Sequence, residues 1–128
     1  LERSRSTLGI DLEVLFLKDS LDMDDEDRSL ILSKCLESSV DKIVITHGTD
    51  TMVETAKLLG SKIKNKTVVL FGAMIPYSVN NANALFNLGA ALSAVQSKEN
   101  GVYVTMNGKL FDFDKVEKNK ALGVFEST

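Results

Sequence analysis

Apolar and polar positions along this chain switch between two periods, and the switching predicts a layered fold. Leu12 to Leu17 is a short apolar run of the kind that forms a strand buried on both faces. Asp24 to Ser39 reads as a helix with Ile31, Leu32, Cys35 and Leu36 on one stripe. Ile43 to Thr46 is the next strand and Met52 to Gly60 the next helix. Thr67 to Met74 is a long apolar strand, Pro76 falls in a loop, and Asn81 to Gln96 is a helix with Leu85, Leu88, Leu92 and Val95 on one face. Asn100-Gly101 closes that helix, and Val102 to Met106 forms a further strand. Asn107-Gly108 calls for a type I′ hairpin turn, with Lys109 to Phe111 returning. Strands separated by helices of ten to sixteen residues imply right-handed βαβ units. The expectation is a three-layer α/β/α fold: a parallel sheet covered on both faces, with a short antiparallel hairpin near the C-terminus.

The densest chemistry lies where the second strand breaks. Ile43-Val44-Ile45-Thr46 runs into His47-Gly48-Thr49-Asp50, and Thr51-Met52-Val53-Glu54 has the [ST]-x-x-E form of a capping box at the start of a helix. In parallel α/β sheets ligands bind at such a junction, because the strand's carboxyl end meets the positive end of the helix dipole. Two threonine hydroxyls, an aspartate and a histidine within five residues are more than a turn requires. His47 has no second His or Cys cluster to make a metal site, and a packed structural role is weighed above a general base. The acidic run at Asp22, Asp24, Asp25, Glu26 and Asp27 lacks the glycine and the glutamate of an EF-hand loop. It reads as carboxylates complementing a helix N-terminus. No metal and no cofactor is expected. Cys35 lies on a core stripe and is expected to be inert.

Composition narrows the classes. The 128 residues fit one domain, 1–128, with 44% hydrophobic and 26% charged residues. A net charge of -3 without a basic block excludes a nucleic-acid surface, and no apolar run reaches the roughly 20 residues of a membrane span. A single cysteine excludes an intrachain disulfide and fits a cytoplasmic location. Leu1 to Arg5 resembles the last turn of a helix, so the domain is expected to lack its first strand–helix unit. The sheet edge left open would favour self-association, most simply as a symmetric dimer.

Ile45-Thr46-His47-Gly48-Thr49-Asp50-Thr51-Met52 resembles the second active-site signature of the bacterial-type L-asparaginase/glutaminase family. The resemblance continues at Lys18-Asp19-Ser20-Leu21-Asp22-Met23, at Val69 to Pro76, at Phe86-Asn87-Leu88 and at Val104-Thr105-Met106-Asn107, in the family's order and spacing. It implies the family's larger, N-terminal, flavodoxin-like domain. It also implies hydrolysis of the side-chain amide of asparagine or glutamine to the acid and ammonia, through a threonine nucleophile. A free threonine hydroxyl is far too weak an acid to attack unaided. The resemblance supplies Thr49 as nucleophile with Asp50 and a lysine from a later loop. That lysine maps onto Lys118, which keeps the family's Val-x-Lys spacing, with Lys115 in reserve and Lys120 outside the site. A helix or tight turn there would put Lys115 and Lys118 on one face. A lysine serves as base only when partial burial depresses its pKa. Ser20 matches a position that binds the substrate's α-carboxylate and Asp50 one that binds the α-amino group. Gly48, Thr49, Ala73 and Met74 complete the expected substrate contacts.

The family's Thr-Gly-Gly-Thr loop is absent here, Leu21 stands where a polar substrate-binding residue is usual, and Ile75 and Asn83 replace an Arg and an Asp. Two other readings therefore stand beside the amidohydrolase. One is a small-molecule binding or regulatory module on the same fold. The other is the glutaminase subunit of an amide-transfer enzyme, dependent on a partner chain.

Overall fold

The computed structural model describes residues 9, 11, 13, 15, 20–72 and 82–128. A 3-10 turn at Ser20–Asp22 precedes helix α1, Asp25–Glu37, then strand β1, Lys42–His47, and helix α2, Met52–Lys62. Strand β2, Thr67–Gly72, helix α3, Ala82–Ser97, and strand β3, Gly101–Met106, follow. Two hairpins end the chain: β4, Lys109–Asp112, returns along β3, and β5, Val116–Asn119, pairs with β6, Val124–Ser127.

One sheet has the order β1-β2-β3-β4, with β1, β2 and β3 parallel and β4 antiparallel. Every residue of β2 is buried, as expected of a central strand between two helical layers. Its alternation divides the core. Val68 and Leu70 face Ile31 and Cys35 of α1 and Met52, Ala56 and Leu59 of α2. Val69 and Phe71 face Ala91 and Val95 of α3. Helices thus cover both faces of a mixed sheet, as the periodicity required. At the amino ends of the strands, lysines hold carbonyls near the helix C-termini: Lys66 Nζ binds Val40 O at 2.9 Å, Lys64 binds Gly60 O at 3.0 Å and Lys42 binds Val95 O at 3.2 Å.

The acidic run does what its position indicated. Asp24 and Asp27 form a reciprocal capping box at the start of α1, with bonds of 2.9 and 3.2 Å. Asn107 and Gly108 both have positive φ, 55° and 85°, the signature of the type I′ turn. Two stripes shift. Leu36 is half exposed, because the inward face of α1 is set by Ile31 and Cys35. On α3 the buried line is Asn87, Ala91 and Val95, with Leu88 only partly buried beside it. The expected strand at 12–17 and the expected end of β2 at Ala73 and Met74 lie mostly or wholly outside the described residues, as do Ile75, Pro76 and the side chain of Asn83.

Candidate active site

At the carboxyl end of β1 the chain turns through residues 48–51 before α2 begins at Met52. The turn is closed from outside by a residue about 30 positions earlier. Ser20 is fully buried, and its Oγ accepts N–H bonds from Asp50 at 3.0 Å and Thr51 at 3.3 Å. Gly48 makes room for it, since a Cβ there would stand 2.9 Å from both Cβ and Oγ of Ser20. The capping box expected at Thr51 and Glu54 is not formed. Thr51 makes no side-chain cap bond, and its hydroxyl instead donates to the Ser20 carbonyl at 2.8 Å. The physical reason is competition: the Ser20 hydroxyl already accepts from the backbone donors at this helix start, which leaves the Thr51 hydroxyl to point back.

Lys118 enters from β5. Strand alternation puts it on the same face as the buried Val116, opposite Phe125 of β6. Its Nζ donates to Thr49 Oγ1 at 3.0 Å and to Asp50 Oδ1 at 2.9 Å. The Lys118 side chain is 12% exposed and that of Asp50 35%, while Thr49 is buried, so the pair opens to solvent on the carboxylate side. Lys115 and Lys120 are exposed. The segment is a strand rather than the helix or tight turn expected, and it is the two-residue period that separates Lys118 from Lys115. Sequence reasoning named Thr49, Asp50, Lys118, Ser20 and Gly48, and the fold brings all five together. Ala73 and Met74 lie outside the described residues.

Behind Thr49 the packing is tight. A Cβ on Gly72 would lie 2.6 Å from Thr49 Cγ2 and 3.1 Å from Met106 Sδ. Gly72 is held in place by Asn87, which is fully buried. Asn87 Nδ2 donates to Gly72 O at 3.0 Å, and its Oδ1 accepts from Asn107 N at 3.0 Å. One side chain of α3 thereby ties the ends of β2 and β3 together beneath the site. The sequence reading missed this role. Its signal was an amide at helical spacing with two core residues, Ala91 and Val95, where an apolar residue would ordinarily stand.

His47 lies against the other side of the turn, 6% exposed. Its Nδ1 is 2.7 Å from Gly48 O and its Nε2 is 2.8 Å from Thr55 Oγ1. Burial pushes the ring's pKa below its ordinary value, and the Arg28 charge adds to this, against opposing effects of the Gly48 carbonyl and Glu54. Burial also raises the pKa of the Cys35 thiol, partly offset by Lys66. Among the described residues, no group of three or more His, Cys, Asp or Glu is placed to hold a metal ion, and no helix is long and apolar enough to cross a membrane.

Comparison with known proteins gives concordant matches. The family model described as Asparaginase, N-terminal, matches residues 2–127. L-asparaginase 2 of Escherichia coli is 40% identical over 102 residues, 74% of this chain and 29% of that protein. The glutaminase-asparaginase of Acinetobacter glutaminasificans is 42% identical over 84 residues, 62% of this chain and 25% of that protein. The thermostable L-asparaginase from Thermococcus kodakarensis superposes with a TM-score of 0.86 at 33% identity, covering 96% of this chain and 39% of that one. The chain thus spans well under half the length of each of these relatives.

Proposed function

This chain belongs to the asparaginase family, matching its N-terminal domain, and on that premise we propose that it hydrolyses the side-chain amide of asparagine or glutamine to the acid and ammonia. The observation that carries the reading is the convergence of Lys118 Nζ on Thr49 Oγ1 and Asp50 Oδ1, at 3.0 and 2.9 Å. Those are hydrogen-bond distances, the reach that a proton acceptor for a nucleophile needs.

In the proposed reaction Thr49 Oγ1 attacks the amide carbon, and its proton passes to the Lys118 nitrogen in its amine form. Asp50 orients that amine by accepting one of its N–H bonds. Collapse of the tetrahedral intermediate breaks the C–N bond, and the leaving nitrogen takes a proton as ammonia. Water then cleaves the ester on Thr49. The helix dipole of α2 favours negative charge at this end of the sheet. Gly48, Thr49 and Asp50 are proposed as substrate contacts, with Ala73 and Met74 from the segment after β2. Ser20 joins them through its hydroxyl, which accepts two N–H bonds and keeps its own proton to donate.

Ammonia release from asparagine and from glutamine tests the reading, with Thr49→Val as the control. Release that is lost in Thr49→Val supports it; equal release from both proteins rejects Thr49 as nucleophile. A second reading, ligand binding without turnover, draws on the 66% exposure of Leu21 beside Ser20. Saturable asparagine binding with no ammonia would favour it.

Two coarser features extend the proposal. A homodimer is part of the proposal, and sedimentation at micromolar concentration would show it. A cytoplasmic location accords with the free Cys35 thiol, and fractionation of cells expressing the protein would test it.

A further inference from the structure

We propose that His47 is a positioning residue, a neutral strut whose Nδ1–H fixes the Gly48–Thr49 peptide and thereby aims the Thr49 hydroxyl at Lys118. The inference rests on the amide-hydrolase reading only for its kinetic consequence.

A carbonyl oxygen can only accept, so the 2.7 Å contact with Gly48 O places the ring proton on Nδ1. Nε2 is then the acceptor, and Thr55 donates its hydroxyl to it at 2.8 Å. Thr55 is fully buried in α2, so the ring spans from the turn to the second turn of the helix that follows it. The bridge has no slack at either end. His47 is the last residue of β1, held in register opposite Gly72.

The peptide between Gly48 and Thr49 is planar, with its C=O and N–H on opposite edges. Fixing the carbonyl against the ring therefore fixes the peptide plane, and with it the Thr49 Cα, which lies on the carbonyl's own edge of a trans peptide. Thr49 Oγ1, carried on that Cα, meets Lys118 Nζ at 3.0 Å. Thr49 cannot relax backward, because its Cγ2 occupies the space a side chain on Gly72 would need. Ser20 fixes the next peptides along, through Asp50 N and Thr51 N. Without His47 the first peptide of the turn loses its strut.

The charged neighbours suit this role. Arg28 of α1 lies close enough to oppose a second proton on the ring, and Glu54 of α2 is the acidic group that acts the other way. Arg28 Nε is buried without a hydrogen-bond partner among the described residues, while its Nη1 pairs with the exposed Asp25 at 3.5 Å. A ring kept neutral keeps Nε2 as acceptor and leaves the bridge to Thr55 intact. His47 does not exchange protons with substrate; it acts through the backbone.

Two isosteric substitutions separate the ring nitrogens. His47→Asn keeps a donor where Nδ1 stood, whereas His47→Gln places its amide near Nε2 and leaves Gly48 O without its bond. The expected result is that kcat for ammonia release falls roughly 10- to 100-fold in His47→Gln with KM nearly unchanged, since a displacement of about 1 Å can cost about 100-fold. His47→Asn should stay within about 3-fold of the parent. Thr55→Val should lower thermal stability without lowering kcat. Equal loss in His47→Asn and His47→Gln, or a change in KM alone, overturns the proposal. A readout independent of activity comes from the ring's 15N spectrum, which is unambiguous because the chain has one histidine. A proton on Nδ1 at neutral pH, with Thr49 amide exchange faster in His47→Gln than in His47→Asn, supports the strut even if the protein releases no ammonia. A proton on Nε2, or equal exchange in both variants, rejects it whatever the activity.

Discussion

Replacing Ser20 by alanine should destabilise this protein more than replacing Thr51, although Thr51 occupies the capping position of α2 in the linear chain. The Ser20 hydroxyl serves two backbone donors, Asp50 N at 3.0 Å and Thr51 N at 3.3 Å, from a fully buried position. Losing a cap of this type costs about 0.5–2 kcal/mol. A buried donor left without a partner costs about 1–3 kcal/mol, and partial exposure of Asp50 lets water recover some of that. The expected loss for Ser20→Ala is about 2 kcal/mol, from the upper part of the capping range. Thr51→Ala removes one bond, from its hydroxyl to Ser20 O at 2.8 Å, at about 1 kcal/mol. For a chain of this size each kcal/mol moves Tm by roughly 4 °C. Ser20→Ala should therefore melt about 8 °C lower and Thr51→Ala about half as far. Calorimetry or urea unfolding of the two variants and the double variant measures this. The two residues share a network, so the double variant should lose less than the two separate losses added together. If Thr51→Ala costs as much as Ser20→Ala, the local capping box is the true cap and the reasoning fails.

Other outcomes follow from the same geometry. Lys118→Met should abolish ammonia release while Lys120→Met leaves it at the parent rate, because Lys118 reaches Thr49 and Asp50 and Lys120 is exposed; a silent Lys118→Met would remove it from the site. Gly72→Ala should reduce activity by at least about 10-fold, since its methyl would displace Thr49 Cγ2 by the order of 1 Å; unchanged activity would show that the turn yields without cost. Gly60→Ala should lower stability despite the better helix propensity of alanine, because the Phe113 ring fills the space a Cβ needs. The depressed pKa of His47 makes stability depend on pH. The unfolded chain takes up the proton first, so this contribution is whole above about pH 6.5 and is lost as pH falls from there through the folded ring's lower value. Unfolding free energies measured across that range should lose this slope in His47→Gln.

Elements whose causes lie within a few residues were legible in the sequence. The α1 capping box joins Asp24 to Asp27, the type I′ turn needs only Asn107 and Gly108, and the buried run of β2 announces a central strand. The resemblance at residues 45–52 pointed to Thr49 and Asp50, and the Val-x-Lys spacing to Lys118. The added argument that a helix or tight turn would put Lys115 and Lys118 on one face did not hold, because β5 is a strand whose pairing with β6 sets which face turns inward. Contacts across long separations were decided only by the tertiary structure. Thr51 lost its expected cap to Ser20, some thirty residues away, because the free N–H groups at a helix N-terminus donate to whichever oxygen the fold brings within reach. Asn87 became a tie between two strand ends, and His47 a bridge between turn and helix, because a buried polar group must find its partner wherever packing has placed one. Periodicity along the chain says which face of an element is buried; only the assembled layers say what each polar group on that face will meet.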